Sequence, residues 1–294
     1  MSLPVLFGAN VDPVWADPGQ ALRVTRHVER AGLDLVTVQD HPYQAAFYDA
    51  WTLISYLAGA TRSVAFVPTV ANLPLRPPAV LAKSAASLDV LTGGRVQLGL
   101  GAGAFWDAIE AMGGPRREAK EAVAALDEAL DVVRLMWSGK RSVRFSGAHY
   151  SLAGIHPGPA PSADLGIWLG AYGPRMLTLT GRKADGWMPS YGFLGLDRLA
   201  DAVARIDAGA RDAGRDPAAL RKVYNLNGLI SPVESDEPFQ GTVRQWVDRL
   251  VSLARDYGMN GFVYWPDADH LRQLTLFALE VVPAARAALA ADKG

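Results

Sequence analysis

Three short stretches of this sequence hold residue types that could do chemistry. The first is Gln39-Asp40-His41-Pro42-Tyr43. A carboxylate beside an imidazole can orient, accept or donate a proton near neutral pH. The second is Gly99-Leu-Gly-Ala-Gly-Ala104, followed by Phe105-Trp106-Asp107. A glycine-rich turn lets a flat ligand or a phosphate approach the backbone, and Phe105 and Trp106 could wall a planar ring. The third is Gly170-Ala-Tyr-Gly-Pro-Arg175. Backbone N–H groups at a glycine-rich helix start, with an arginine nearby, suit an anion. Each stretch also has an ordinary structural reading. His41 could simply pack on Tyr43, the aromatic pair could fill space under a helix entry, and Arg175 could be solvated beside a tight turn.

Other chemistries are excluded or unsupported. There are no cysteines, so disulfides, thiolate catalysis and cysteine-ligated metals are out. His27, His41, His149, His156 and His270 show no metal-ligand spacing with one another or with carboxylates, and no metal is expected. No nucleophile elbow and no P-loop occur. The glycine-rich turn comes fourth in strand order, not in the first βαβ unit where a dinucleotide fingerprint belongs. Net charge is −1, from 29 basic and 30 acidic residues, so neither nucleic acid nor an anionic membrane is an expected partner. No continuous apolar run approaches the ~20 residues of a membrane helix. Met1–Asn10 reads as a first strand rather than a signal peptide. These features fit a cytoplasmic protein acting on a small molecule.

The elements that must position those residues alternate from end to end. Strands are expected at Leu3–Ala9, Leu33–Val38, Val64–Thr69, Val96–Gly101, Ile167–Gly170, Gly186–Pro189, Val223–Gly228 and Gly261–Tyr264. Most are continuous apolar runs, as strands covered on both faces require. Helical spacing follows each. Val123, Leu126, Leu130, Val133 and Trp137 step by three or four, and so do Val243, Val247, Leu250, Ala254 and Tyr257. Gly32 and Gly93-Gly94 supply stops, Pro77-Pro78 a start, and Pro283 a kink or restart in the last helix. Eight βα units without a composition break predict one domain over 1–294, a closed (β/α)8 TIM barrel; the rival is an open doubly wound sheet. Two longer segments, about 138–164 and 231–240, are expected as insertions, with the mouth of the barrel as their place. In a barrel, active sites sit at the C-terminal strand ends, which is where all three chemical stretches fall. Trp15, Trp106 and Trp265 also follow strands and could reach a ligand, whereas Trp51, Trp137, Trp187 and Trp246 read as core.

These motifs resemble the bacterial luciferase-like oxidoreductases. The resemblance rests on Gly32-Leu-Asp-Leu-Val-Thr-Val-Gln-Asp-His41, on Arg76-Pro-Pro-Ala-Val-Leu-Ala-Lys83, and on Leu88-Asp-Val-Leu-Thr-Gly-Gly-Arg-Val-Gln-Leu-Gly-Leu-Gly-Ala-Gly103. It continues through Ile167–Pro174 and Ala184-Asp-Gly-Trp187. It implies a ring of isoalloxazine type lying over the strand ends. One branch of the family uses FMN, often with O2. The other uses coenzyme F-420, an 8-hydroxy-5-deazaflavin, and transfers hydride; Asp40-His41 is similar to the Asp-His of that branch. The implied roles are His41 as catalytic acid/base, with Asp40 touching the ring or orienting His41. Ala102 and Gly103 would meet the ring, with Asp107 close by. Gly170, Ala171, Gly173 and Pro174 would lie on the phosphate side. Pro68, Thr69 and Val70 would form a bulge behind the ring, with a cis peptide expected at Pro68–Thr69. One departure stands out. Sugar-phosphate dehydrogenases of this branch have a glutamate where this chain has Ala104, and neither Asp107 nor Glu110 matches its place. The expectation is hydride transfer between the deazaflavin and a small, uncharged organic substrate, by a homodimer. An FMN-dependent monooxygenase and a non-catalytic cofactor-binding barrel remain open.

Overall fold

A computed structural model describes residues 3–162 and 164–291. The barrel strands, in chain order, are β1 (Leu6–Asn10), β2 (Leu35–Val38), β3 (Ala65–Pro68), β4 (Ala71–Asn72) and β5 (Leu98–Gly101). After an antiparallel hairpin of β6 (Val143–Ser146) and β7 (Ser151–Ile155) come β8 (Ile167–Leu169), β9 (Gly186–Trp187) and β10 (Arg221–Ile230). The series ends with β11 (Gln240–Gly241) and β12 (Gly261–Pro266). The parallel order runs β3-β2-β1-β12-β10-β9-β8-β5-β4. A single bridge between Phe66 and Val96 brings β3 back beside β5. The open sheet is thereby ruled out: nine parallel segments make a nearly closed barrel.

Nine segments serve eight βα units because the third strand is broken. β3 pairs with β2 up to Val38↔Pro68, and β4 pairs with β5 through Ala71↔Leu100 and Asn72↔Gly101. The break holds a cis peptide at Thr69–Val70, one bond later than expected. Thr69 N–H still donates to Val38 carbonyl at 2.8 Å, so the ladder stays regular through Pro68–Thr69 and yields only beyond it.

Two strands start or end differently from the sequence reading, for one reason. Proline has no N–H to give a ladder. Pairing at the amino end begins with Leu6 N–H to Asn260 carbonyl, two residues past Pro4. β9 stops short of Pro189, although Asn225 N–H still bonds the Pro189 carbonyl.

The helices are α1 (Gln20–Arg30), α2 (Ala50–Gly59), α3 (Pro78–Thr92), α4 (Trp106–Ala111), α5 (Ala119–Trp137), α6 (Pro174–Lys183), α7 (Leu199–Asp212) and α8 (Val243–Tyr257). Then come α9 (His270–Leu276) and α10 (Val282–Ala291), joined by a π turn at Phe277–Val281. α5 opens with a capping box between Glu118 and Glu121, and α8 with one between Thr242 and Gln245. The barrel interior is filled by Leu35, Val67, Trp168, Met188, Val223 and Val263. A larger apolar layer, including the fully buried Trp187, Trp246 and Phe277, lies between barrel and helices.

The insertion at 138–164, of which Ala163 lies outside the described residues, does not start at the mouth. It joins the end of α5 to the start of β8, so it must leave from the amino-terminal end of the barrel. Its hairpin lies along α5, where the Glu128 carboxylate accepts from the N–H groups of Ala148, His149 and Tyr150. The 231–240 segment does follow the C-terminal end of a strand, β10, and returns as β11 beside it. The span His270–Ala291 is long and apolar enough to cross a membrane by length and composition, with mean hydropathy 1.6. No single apolar run revealed this, because the apolar residues are interleaved with a few polar ones. Its Leu274, Phe277, Ala278, Val281, Val282 and Ala285 are buried against the rest of the chain.

Candidate active site at the barrel mouth

The residues past β2 form the site's best-defined corner. His41 Nδ1 lies 2.8 Å from the Tyr43 hydroxyl, and the Phe105 ring meets the imidazole edge-on at 5.5 Å. Two rim connections, after β2 and after β5, thus meet over one imidazole. Burial lowers the His41 pKa below its ordinary 6.5, with the charge of Asp40 opposing. Burial also pushes the Tyr43 hydroxyl up to about 12, helped by Asp40. At neutral pH the pair is therefore uncharged, a neutral imidazole beside an intact phenol. His41 Nε2 has no protein partner among the described residues, so it is the nitrogen left to meet a ligand.

Asp40 does not touch a ligand site. Its side chain has 0% exposure, and Arg76 Nε and Nη2 hold its two oxygens at 2.6 and 2.7 Å. Asn72 N–H donates to Oδ2 at 2.8 Å as well. Of the two roles expected for Asp40, contact with the ring is therefore replaced by positioning of the loop that carries His41. Arg76 also bonds Asp49, whose carboxylate caps α2 through Thr52 N–H. Burial alone would depress the Arg76 guanidinium, but Asp40 and then Asp49 push its pKa above the ordinary value.

The floor of the mouth is built from the broken third strand and the glycines beside it. Val70 sits between Gly101 and Gly170; a Cβ on either glycine would lie 2.6 or 3.0 Å from Val70 Cγ2. Gly103 has φ +100°, and a Cβ there would meet Pro74 at 2.7 Å and the Trp106 ring at 2.9 Å. Pro68 is buried, while Thr69, Val70, Ala102 and Gly103 are half-buried. Together these small and apolar groups make a shelf at the ends of β3, β5 and β8. Gly170 packs against Val70 at this floor and stays half-buried. Ala171 is 1% exposed and its carbonyl is taken by the Trp187 indole N–H, so its side chain is not offered to a ligand. Gly173 and Pro174 are exposed at the start of α6, with open space around the Gly173 Cα. They remain placed to face an anion. Asp107 points to solvent and pairs with Arg116, and α4 carries it there. Ala104 is exposed, and nothing acidic replaces it in place.

Three features escaped the sequence reading. Arg76 was visible in a motif, but nothing local announced its partner 36 residues away. The Tyr172 ring lies tilted against the exposed Phe193, centroids 5.6 Å apart, and its hydroxyl accepts from Ser190 N–H. Asp12 and His270, 258 residues apart, come together at the rim with Nδ1 and Oδ2 3.7 Å apart. Among the described residues no cluster of three or more histidine and carboxylate side chains could hold a metal.

A model of the luciferase-like monooxygenase family matches residues 3–271. The chain belongs to that family. It is built on the family's barrel. A phthiodiolone/phenolphthiodiolone dimycocerosates ketoreductase of Mycobacterium tuberculosis is 32% identical over 245 residues, 81% of this chain. The chain spans 61% of that ketoreductase's length. An F420-dependent glucose-6-phosphate dehydrogenase of Nocardia farcinica is 27% identical over 324 residues, covering 92% of this chain and 95% of the relative. Among solved structures, an F420-dependent secondary alcohol dehydrogenase in complex with an F420-acetone adduct superimposes with a TM-score of 0.85 at 19% identity. It covers 96% of this chain and 99% of that one, and the likeness is one of fold.

Proposed function

We propose that this protein transfers hydride between coenzyme F-420 and the oxygen-bearing carbon of a small, uncharged alcohol or its ketone. The observation that carries the reading is the neutral His41–Tyr43 pair, held by Asp40 and Arg76 at the edge of a glycine-lined shelf. The names of the relatives, a ketoreductase and two F420-dependent dehydrogenases, support the same class of reaction.

The residues fit a deazaflavin. Thr69, Val70, Ala102 and Gly103 would underlie its ring, and Gly173 with Pro174 would face its phosphate from the start of α6. When bound, the coenzyme supplies the hydride acceptor or donor. The chain supplies the proton handling. With Nδ1–H donating to Tyr43, Nε2 is a base for a substrate hydroxyl. With the Tyr43 O–H donating to Nδ1, Nε2–H is a donor for a carbonyl oxygen. Tyr43, kept protonated by burial, serves both tautomers, so one residue works in both directions of the reaction. Phe105 covers the imidazole and reduces its access to water.

Fluorescence titration with coenzyme F-420 and, separately, with FMN tests the reading, followed by assays on a panel of secondary alcohols and ketones with O2 uptake recorded. The expected result is deazaflavin binding and turnover without O2 consumption. Tight FMN binding with O2 uptake would assign the monooxygenase reading instead. Binding without turnover of any substrate would leave a non-catalytic carrier.

A further inference from the structure

We propose that Asp12, backed by His270, is a second proton-handling group of the mouth; the inference rests on the alcohol–ketone reading above. Asp12 follows β1 by two residues and His270 opens α9 just past β12. β1 pairs with β12 on one side and β2 on the other, so the pair stands beside the corner that carries His41.

The carboxylate is held rather than loose. Asn10 Nδ2 donates to Asp12 Oδ1 at 2.9 Å, and the fully buried Thr37 hydroxyl donates to Asn10 Oδ1 at 3.2 Å. Thr37 thereby fixes which way the amide faces. Oδ2 is left to His270, 3.7 Å away, and the Asp12 side chain keeps 32% exposure, enough for a ligand to reach it. The loop itself is tied down by Val11 N–H to Thr37 carbonyl and by Tyr48 N–H to Pro13 carbonyl.

The other carboxylates of the rim are unsuited to the task. Asp40 is enclosed by Arg76, while Asp107 and Glu110 are well exposed and paired with Arg116. Asp269 is exposed beside Arg272, and Asp267 accepts from Gln240. Burial lifts the Asp12 carboxyl above its ordinary value, while the His270 charge and the Asn10 hydrogen bond pull the other way. The charged or titratable groups on the elements around Asp12 are Asp17 and Arg23 after β1, Asp40, His41, Tyr43 and Tyr48 after β2, Asp267 after β12, and Asp269, His270 and Arg272 at α9. Among the described residues, His270 is the one within ion-pair distance.

Proton balance gives this pair its work. Oxidising an alcohol removes a hydride and a hydroxyl proton, and reducing the deazaflavin consumes a hydride and a proton. The C–H electron pair leaves with the hydride, the O–H proton goes to His41 Nε2, and the C=O bond forms. The proton needed on coenzyme reduction comes from the Asp12 carboxyl, which is recharged from solvent past His270. In the reverse direction each transfer runs backward.

The test compares wild type with Asp12→Asn, Asp12→Glu and His270→Gln. Asp12→Asn keeps the Asn10 bond, so the fold is expected to hold; its Tm is measured alongside. The expected results are a loss of about 100-fold in kcat for Asp12→Asn, with coenzyme Kd within about twofold and partial recovery in Asp12→Glu. His270→Gln removes a cation that pulls the Asp12 carboxyl down, so the carboxyl limb of the pH profile should move to higher pH. In the protein without coenzyme, carbon NMR should show the Asp12 carboxyl titrating at higher pH in His270→Gln than in wild type. A kcat within about threefold of wild type overturns the proposal, and so does a loss with an unchanged pH profile and an Asp12 titration that His270→Gln does not move. If His41→Ala is dead while Asp12→Asn is unaffected, this inference alone falls. If wild type turns over no alcohol or ketone, the reading beneath it falls too.

Discussion

Arg76 reaches back from the far side of the broken third strand and grips Asp40 with two parallel hydrogen bonds of 2.6 and 2.7 Å. The grip ties the loop carrying His41 to the segment that forms the floor of the mouth. The loop that carries His41 is thus held by one largely buried ion pair.

Removing Asp40 leaves the largely buried Arg76 guanidinium with Asp49 alone. Asp40→Asn should lower stability by about 3 kcal/mol, read from denaturant unfolding. It should also cut kcat more than it weakens coenzyme binding, because it loosens His41 rather than the shelf. An Asp40→Asn protein as stable and active as wild type would show that Asp40 positions nothing.

His41→Ala should reduce kcat about 100-fold or more while coenzyme affinity, followed by fluorescence, changes little. A large loss of affinity with kcat retained would move His41 from proton transfer to binding.

The pH dependence has a defined sign. The His41 pKa is lower folded than its ordinary 6.5, so the native state binds fewer protons there than the unfolded chain. Its contribution is intact above about 6.5 and declines as pH falls through the folded value. Alcohol oxidation should therefore show an acid limb with a midpoint below 6.5, and this limb should vanish in His41→Ala. A limb above 6.5 would contradict the burial effect.

Gly103→Ala tests the shelf. The position combines φ +100° with Pro74 and Trp106 within 3 Å of an added Cβ. The variant should lose about 1–3 kcal/mol of stability and bind coenzyme more weakly. Unchanged coenzyme Kd would take Gly103 out of the ring contact.

Tyr56 on α2 and Val80, Val90 and Leu91 on α3 are exposed apolar residues on neighbouring helices, Leu91 at 82%. Burial of this face in a homodimer is the expected use. Light scattering should give twice the chain mass, and Leu91→Glu should give the monomer. A monomeric wild type would sink this expectation.

Much of the architecture was legible from one dimension. The apolar runs at Leu35–Val38 and Leu98–Gly101, and the three- and four-residue steps along Leu126, Leu130 and Val133, are local periodicities, and local periodicity fixes which backbone each segment adopts. The His41 segment and the Gly99–Gly103 turn were legible for the same reason, since a strand end in a barrel defines the mouth. The position of the strand break was not: it depends on which neighbour each N–H pairs with, and Thr69 N–H kept its bond to Val38. Nor was the path of residues 138–162, which is set by the Glu128 carboxylate on α5. Asp40 could be named from sequence, but its burial under Arg76 could not. Asp12 and His270 have no sequence relation at all. Side-chain partnerships across the barrel arise only when closure brings distant strand ends together, and that geometry is a property of the folded ring, not of any segment in it.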